Sequence, residues 1–260
     1  WDMLDYRDVT EGSGFADLVV LAGQAGSQII QRETLRSPYI EYSTDDDLGS
    51  FGPSKQLRRS RRMLDKEGGV QFRRTAPADL ASLQRLVLQE DTGWKGAAGT
   101  AIAREAEALA FYSGFVAAQS PSFTVVISEL VVNDQPIAIN LGLEMGSRYF
   151  GLKRTYDEAY HKSGPGHLIM QEMLLDLPNR GIFEYDIMGH DEAYKMEWTS
   201  LIRQHHHYLV FRPGLKGGLL RRGVDIAIPL VKKLRTRFAQ RGLAVGRTGN
   251  DTASTDAAKS

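Results

Sequence analysis

A short glycine loop, His161-Lys-Ser-Gly-Pro-Gly-His167, stands between a run of strand-like residues and an amphipathic helical pattern. Glycines without side chains let a backbone approach an anion closely, and the first turn of a helix offers unpaired N–H groups at the positive end of its dipole. The loop is therefore a candidate phosphate site, although Pro165 removes one N–H donor. A plain turn between two elements is the competing interpretation. The candidate contact residues are His161, Ser163, Gly164, Gly166 and His167.

Side chains that could move protons stand close to this loop. Asp157 and Glu158 precede it, and either could act as a general base, while Asp157 equally fits the cap of a helix start. Lys195 follows a glycine turn and could neutralise a carboxylate, a phosphate or an oxyanion, or lie on the surface. The tyrosines are candidate proton donors, each with simple packing as the alternative; they are Tyr156, Tyr160 and Tyr194.

A second glycine-rich loop holds Trp94 and Lys95. A tryptophan is often a core residue, but the glycines around this one also suit a loop that closes over a substrate.

Composition excludes several classes of function. The 260 residues carry 32 acids and 32 bases, whereas nucleic-acid binding usually needs a basic domain. Cysteine is absent, which excludes disulfides, a thiol nucleophile and a cysteine zinc site. The run His205-His206-His207 lies in a strand pattern that alternates its faces, so we expect no metal there. No apolar stretch reaches membrane-spanning length, and we expect a cytoplasmic protein.

The hydrophobic pattern predicts an α/β (α+β) chain with a mixed central β-sheet flanked by helices. A helix that crosses over between two strands makes those strands parallel, whereas short turns join antiparallel ones. Helices are predicted at 14–26, 54–68, 77–90, 102–119 and 166–177, and strands at 1–9, 29–42, 70–75, 123–132, 136–144, 148–153, 181–187 and 205–211.

Two basic segments have open interpretations. The helix at 54–68 carries six lysines and arginines, and is either a solvated face or a surface for an acidic acceptor. The segment 213–244 is basic and amphipathic, and residues 212–241 either pack on the domain or rest on an anionic membrane. The polar tail 245–260 is predicted to be disordered.

The order of elements around the loop resembles that of the GNAT acyltransferase superfamily. In that superfamily the fourth strand leads to a loop, Arg/Gln-x-x-Gly-x-Gly/Ala, which grips the pyrophosphate of acetyl-coenzyme A. This chain reads His161-x-x-Gly164-x-Gly166, with histidine in the first position.

Three further stretches resemble the cellulose-biosynthesis (CelD-like) branch of that superfamily. They run from Glu90 through Trp94-Lys95-Gly96 to Ala101, from Lys153 to Tyr160, and from Asp186 to Trp198. The branch resembles the Fem-type aminoacyl transferases, which carry two GNAT-like halves. On that basis residues 1–74 are the latter part of a first half, 75–212 are the acyltransferase domain, and the chain is a piece of a longer tandem protein.

The resemblance implies an acyltransferase that uses acetyl-coenzyme A or another acyl-coenzyme A, without a metal. It implies an amino sugar, saccharide or cell-envelope precursor as acceptor. A split beside the fourth strand would expose N–H groups to the thioester oxygen, with residues near 140–144 as candidates. The catalytic candidates are Asp157, Glu158, Tyr160 and Lys195; those for substrate binding are Trp94, Lys95, Asp186, Tyr194 and Trp198.

Two other functions are compatible with the sequence. One is a Fem-type transferase that uses aminoacyl-tRNA, which the neutral charge balance disfavours. The other is a catalytically silent scaffold of a polysaccharide-export complex, which His161 and Pro165 keep open.

Overall fold

The structure, a computed structural model, describes residues 1–42 and 54–226. These residues form two compact units, Arg36–Arg203 and a second unit made of Trp1–Leu35 with the chain from Gln204 onward. The tandem organisation and the boundary between residues 74 and 75 stay predictions. The predicted disordered tail and most of the basic segment 213–244 lie outside the described residues.

The described ranges contain eight strands, seven α-helices with both ends described, and a further helical stretch at residues 215–226. The strands are β1 (Met3–Thr10), β2 (Gln28–Glu41), β3 (Gln71–Thr75), β4 (Thr124–Val132), β5 (Gln135–Met145), β6 (Arg148–Tyr156), β7 (Glu184–Asp186) and β8 (Ile202–Phe211). The α-helices are α1 (Gly14–Gln24), α2 (Lys55–Asp65), α3 (Leu80–Thr92), α4 (Trp94–Ala97), α5 (Ala106–Ala117), α6 (Pro165–Asp176) and α7 (Ala193–Met196). Short 3₁₀ turns lie at Ile102–Arg104, Glu158–Ser163 and Pro178–Arg180.

The sheet of the larger unit is mixed, as predicted. Its strand order is β2-β7-β6-β5-β4-β3. Strands β3 to β6 are antiparallel neighbours, and β6 pairs with β7 in parallel. Helix α6 lies between β6 and β7 in the chain, which is the crossover that a parallel pair requires.

The β4–β5–β6 meander follows from its turn residues and its apolar runs. Asn133 and Asp134 both have positive φ at the β4–β5 turn, a conformation that asparagine and aspartate tolerate better than most residues. Gly146, with φ of 58°, makes the next turn. Almost all of β4 and the centre of β5 are buried, as expected for strands covered on both faces.

Helices cover both faces of this sheet. On one face α3 and α5 pack against β4 and β5 through Leu83, Leu86 and Val116. On the other face α6 packs through Leu168, Ile169 and further apolar residues. Helix α3 begins at Leu80, later than the predicted Pro77, because Asp79 caps it: the Asp79 carboxylate accepts the Ser82 N–H at 2.7 Å.

The smaller unit contains β1, α1, the first part of β2, and β8. Strand β1 pairs antiparallel with β8, and Val19 of α1 packs on Tyr208 and Val210. His207 Nε2 lies 2.7 Å from an Asp5 carboxylate oxygen and His205 Nδ1 lies 3.1 Å from the Asp8 carbonyl oxygen, so the neighbouring histidines have separate partners. Residues 215–226 are helical, which places a helix at the start of the basic segment.

Candidate active site

A cavity of about 600 Å³ opens in the larger unit at the edge of β6. Four parts of the chain line it: β6 itself, the N-terminal turn of α6, the loop from β7 to α7, and the α3–α4 connection. We call it the split-strand cavity. The predicted site residues that line it are Lys95, Tyr156, Gly164, Gly166, His167, Tyr194, Lys195 and Trp198.

The cavity exists because β6 and β7 separate. Their parallel ladder has three pairs and ends at Phe150 and Asp186, while β6 runs on to Tyr156. Past Asp186 the chain leaves β6 but stays paired with β2, since the Ile187 N–H donates to the Pro38 carbonyl at 3.0 Å. The free edge of β6 thus becomes a cavity wall.

The backbone along this edge offers hydrogen-bond donors. The Asp157 N–H bonds to the Ile137 carbonyl on β5 at 2.9 Å. Because antiparallel strands alternate their bonding direction, the N–H groups of Arg154 and Tyr156 point away from β5, towards the cavity. The prediction that residues near 140–144 supply such donors is wrong, because those residues of β5 pair with β4 on one side and β6 on the other.

The glycine loop sits at the cavity rim with few open donors. Gly164 has φ of 57°, which favours glycine, and it precedes the first residue of α6. The loop's own carbonyls take up three of its N–H groups: that of Gly164 bonds to His161, and those of His167 and Leu168 bond to Gly164. With Pro165 lacking an N–H, Gly166 carries the amide that remains for a ligand in residues 164–168.

A buried carboxylate organises the side of the cavity next to α3. Glu90 is 1% exposed, and its oxygens accept from Lys95 Nζ at 2.7 Å and from the Ile102 N–H at 2.9 Å. Lys153 Nζ of β6 lies 3.5 Å from the same carboxylate. Burial by itself would raise the pKa of Glu90, but these hydrogen bonds and the two ammonium charges outweigh it and lower the pKa. The Glu90 carboxylate therefore stays ionised while it holds Lys95 and the Ile102 N–H in place.

The opposite wall has cationic character. Arg154 is half-buried, faces the ring of Tyr194 at 5.9 Å, and forms no ion pair within residues 1–42 and 54–226. Lys195 is buried, and its Nζ donates to the Met188 carbonyl at 2.7 Å and the His190 carbonyl at 3.1 Å, with Glu192 at 2.5 Å. The predicted role of Lys195 at an oxyanion stays a prediction, and its contacts show that it fixes the β7–α7 loop.

Two aromatic residues and a histidine complete the rim. Tyr194 is exposed at its edge, and Trp198 is half-buried. The His167 ring stacks on Trp198 with centroids 6.1 Å apart, and its Nε2 lies 3.3 Å from Glu197.

Several predicted site residues lie outside the cavity wall. Asp157 caps the 3₁₀ turn that follows β6, where its carboxylate accepts the Ala159 N–H at 2.9 Å. Asp186 is buried and accepts from Ser37, the Met188 N–H and Arg203, so it supports the fold behind the cavity. The side chain of Trp94 lies outside the described residues. The others that are absent from the wall are Glu158, Tyr160, His161 and Ser163.

Other residues enter the site without having been proposed for it. Glu90 and Lys153 each open one of the stretches that resemble the CelD-like branch, and a charged residue at the start of a motif was the available signal. Tyr185 and Arg154 gave no such signal, because their importance depends on where β6 and β7 separate. The four residues that were not predicted, all of which line the cavity, are Glu90, Lys153, Arg154 and Tyr185.

The basic helix α2 packs Leu64 inward and turns several arginines outward. Arg61 forms an ion pair with Glu172 of α6, so this arginine stabilises the fold.

In the described part of the chain no group of His, Cys, Asp and Glu side chains is arranged to hold a metal, and no helix there is long and apolar enough to cross a membrane.

Comparisons with known proteins agree with this architecture. Residues 54–196 match the family model described as acetyltransferase (GNAT) domain. A sequence comparison with curated proteins finds no match.

Three solved structures share the fold at low identity. FemX is 13% identical with a TM-score of 0.56, over 79% of this chain and 71% of FemX. L-PGS from Bacillus licheniformis is 12% identical with a TM-score of 0.52, over 90% of this chain and 72% of the other. The C-terminal domain of a protein described as a lysylphosphatidylglycerol synthetase, from Agrobacterium fabrum, is 10% identical with a TM-score of 0.53, over 85% and 71%.

Proposed function

Because the chain belongs to the acetyltransferase (GNAT) domain family, we propose that it transfers an acyl group from acyl-coenzyme A, in the first instance acetyl-coenzyme A, to an amine or hydroxyl. The observation that carries the proposal is the split-strand cavity, which opens where β6 leaves β7 and has the glycine loop at its rim.

The donor would lie along the free edge of β6. Its diphosphate would sit at the Gly166 N–H, beside the first turn of α6, where the helix dipole favours an anion. The carbonyl groups of its pantetheine arm would accept from the N–H groups of Arg154 and Tyr156, which point towards the cavity.

The acceptor would occupy the side of the cavity next to α3. Lys153 shares a Glu90 carboxylate oxygen with Lys95, at 3.5 Å against 2.7 Å, and its side chain remains 26% exposed. This partly exposed ammonium favours an acceptor that carries a phosphate or carboxylate. An amino sugar, saccharide or cell-envelope precursor of the kind associated with the CelD-like branch fits that class when it bears such a group.

Acyl-coenzyme A chemistry of this kind belongs in the cytoplasm, and contact of residues 212–241 with an anionic membrane stays a prediction.

A second candidate is transfer of an aminoacyl group from a charged tRNA. The observation that favours it is the glycine loop, in which Gly166 alone among residues 164–168 keeps an amide for a phosphate. FemX and L-PGS, whose fold this chain shares, span most of its length. The candidate predicts weak binding of coenzyme A and turnover with an aminoacylated tRNA.

Isothermal titration of acetyl-coenzyme A, free coenzyme A and adenosine diphosphate into the protein tests the proposal. We expect micromolar binding of both coenzyme A forms, with adenosine diphosphate retaining part of the affinity. Absence of binding to a folded protein would refute the acyl-coenzyme A donor. Aminoacyl transfer would then be tested with charged tRNA, and a protein inactive with both donors would fit the scaffold function.

A further inference from the structure

Tyr185 is a buried residue whose hydroxyl has no hydrogen-bond partner among the described residues. Tyr185 is 2% exposed and belongs to the wall of the split-strand cavity. Within the described ranges its hydroxyl makes no hydrogen bond. Two other buried tyrosines differ in this respect: Tyr149 Oη accepts from Asn140 Nδ2 at 2.7 Å, and Tyr42 Oη donates to the Leu174 carbonyl at 3.1 Å. Since buried hydroxyls are almost always bonded, the hydroxyl of Tyr185 is available for a ligand.

This hydroxyl marks the point at which the two strands separate. A Cβ atom added to Gly151 would lie 2.7 Å from Tyr185 Oη, so the hydroxyl rests on the backbone of Gly151. Gly151 follows Phe150, the last residue of β6 that pairs with β7. The Tyr185 hydroxyl therefore stands at the closed end of the split.

The distance from the glycine loop to this point suits a coenzyme A thioester. Gly166 lies beside Tyr156, whose Cδ1 would be 3.6 Å from an added Cβ, at the far end of the free edge. The five residue-to-residue steps from Gly151 to Tyr156 span roughly 16 Å at the usual rise of a strand. An extended pantetheine arm is of that length scale, so a donor held at Gly166 would bring its acyl group to the closed end.

The hydroxyl is suited to donate a hydrogen bond and not to give up its proton. Burial raises the pKa of Tyr185 to about 12, although the nearby guanidinium of Arg154 acts in the opposite direction. The group remains a neutral O–H donor throughout the physiological pH range. Such a donor in a water-poor site stabilises negative charge on an oxygen.

We infer that the Tyr185 hydroxyl donates a hydrogen bond to the carbonyl oxygen of the bound acyl group; this rests on the proposed acyl-coenzyme A function. The acceptor's lone pair forms a bond to the carbonyl carbon, and the C=O π electrons move to the oxygen that Tyr185 holds. Collapse of this tetrahedral intermediate restores the C=O bond and breaks the C–S bond. The acceptor's proton passes through solvent to the coenzyme A thiolate, and the proton of Tyr185 stays in place.

Infrared difference spectroscopy of acetyl-coenzyme A labelled with ¹³C at the carbonyl tests this assignment without a known acceptor. A hydrogen bond from Tyr185 polarises the C=O bond, so the bound wild-type band is expected at a lower wavenumber than the band in Tyr185→Phe. Phenylalanine keeps the edge-on ring contact with Tyr149, whose centroid is 5.1 Å away. Tyr149→Phe is the matched control: it removes a buried hydroxyl one strand away and is expected to leave the band unchanged.

The outcomes separate the assignment from the proposed function. A band identical in wild type and Tyr185→Phe, with both proteins binding acetyl-coenzyme A by titration, would overturn the role of Tyr185 alone. An equal shift in Tyr149→Phe would also overturn it, since the effect would then come from repacking. Failure of the wild-type protein to bind acetyl-coenzyme A would refute the proposed donor, and the inference with it.

Discussion

Lys95 Nζ lies 2.7 Å from a carboxylate oxygen of Glu90, and this ion pair ties the loop that follows α3 to the end of that helix. The other oxygen of Glu90 accepts the Ile102 N–H at 2.9 Å. One buried carboxylate thus holds both ends of the segment 95–102, which borders the cavity. We expect the shape of the proposed acceptor side to depend on Glu90.

Replacement Glu90→Gln is expected to lower the free energy of unfolding by about 1–3 kcal/mol, because it removes a charge-assisted hydrogen bond and the negative charge that Lys95 and Lys153 share. The pKa of Glu90 is lower in the folded protein than the ordinary 4.5. The stabilisation is therefore complete above pH 4.5 and is lost as the pH falls through the folded pKa. Urea unfolding of both proteins across acidic pH measures it.

The matched control for that measurement is Asp91→Asn. Asp91 pairs with Arg104 at 2.6 Å, but the two side chains are 28% and 55% exposed, so the expected loss is below about 1 kcal/mol. Equal losses of unfolding free energy in the two variants would show that the buried Glu90 carboxylate stabilises the fold no more than an exposed ion pair does.

Lys153→Met is expected to weaken the binding of an anionic acceptor and to leave the binding of the acyl donor unchanged. Removal of one partly exposed cation costs about 1 kcal/mol, or roughly a fivefold rise in KM. Glucosamine 6-phosphate and glucosamine form a suitable pair of test acceptors, and the effect is expected with the phosphorylated sugar alone. Lys153→Arg keeps the charge and is expected to retain most of the activity. A similar rise in KM for both sugars would contradict a charge-based role.

The two loop glycines are expected to respond differently to alanine. Gly164→Ala forces a side chain into a left-handed conformation and is expected to cost about 1–2 kcal/mol of stability, although open space surrounds it. Gly166→Ala meets ordinary contact at 3.6 Å and is expected to fold normally, but to bind coenzyme A more weakly by crowding the open amide. Gly114→Ala, on an exposed part of α5, serves as the control in thermal unfolding and titration.

Gly151→Ala is expected to be destabilising by about 1–3 kcal/mol through overpacking against the Tyr185 ring. Adding Tyr185→Phe to this variant removes the hydroxyl oxygen, which would lie 2.7 Å from the new Cβ at position 151. The double variant is therefore expected to recover part of the loss. Strict additivity of the two changes in a double-mutant cycle would show that the side chains do not meet.

Asp157→Asn is expected to preserve turnover, because asparagine caps a helical turn about as well as aspartate. The measurement is the acyl-transfer rate at saturating donor. A loss of turnover with unchanged coenzyme A affinity would restore Asp157 as the general base predicted from the sequence.

The fold was largely predictable from the sequence. The change from helical to alternating periodicity after Pro121, the turn at Asn133-Asp134 and the glycine loop before α6 are local signals, and the structure contains all three features. The crossover through α6 then required the parallel pair of β6 and β7.

The candidate site was predictable only in part, because it depends on long-range relationships. The sequence does not show that β6 and β7 part after Phe150, so it could not indicate that Arg154 and Tyr185 share a cavity wall. It left open whether Asp157 acts as a base or as a cap, and the structure shows the cap, in which the carboxylate accepts the Ala159 N–H. The role as a base stays a prediction. The pairing of Glu90 with Lys153 joins residues far apart in the chain.

The tyrosine rings at the closed end of the split also limit what the cavity can hold. Tyr185 lies over Gly151 and Tyr149 lies over Gly142, and neither ring is more than 2% exposed. An acyl group that extends past Gly151 would have to displace a ring from a close-packed core. If the cavity holds the acyl donor as proposed, we expect its closed end to admit short acyl chains and to exclude long ones.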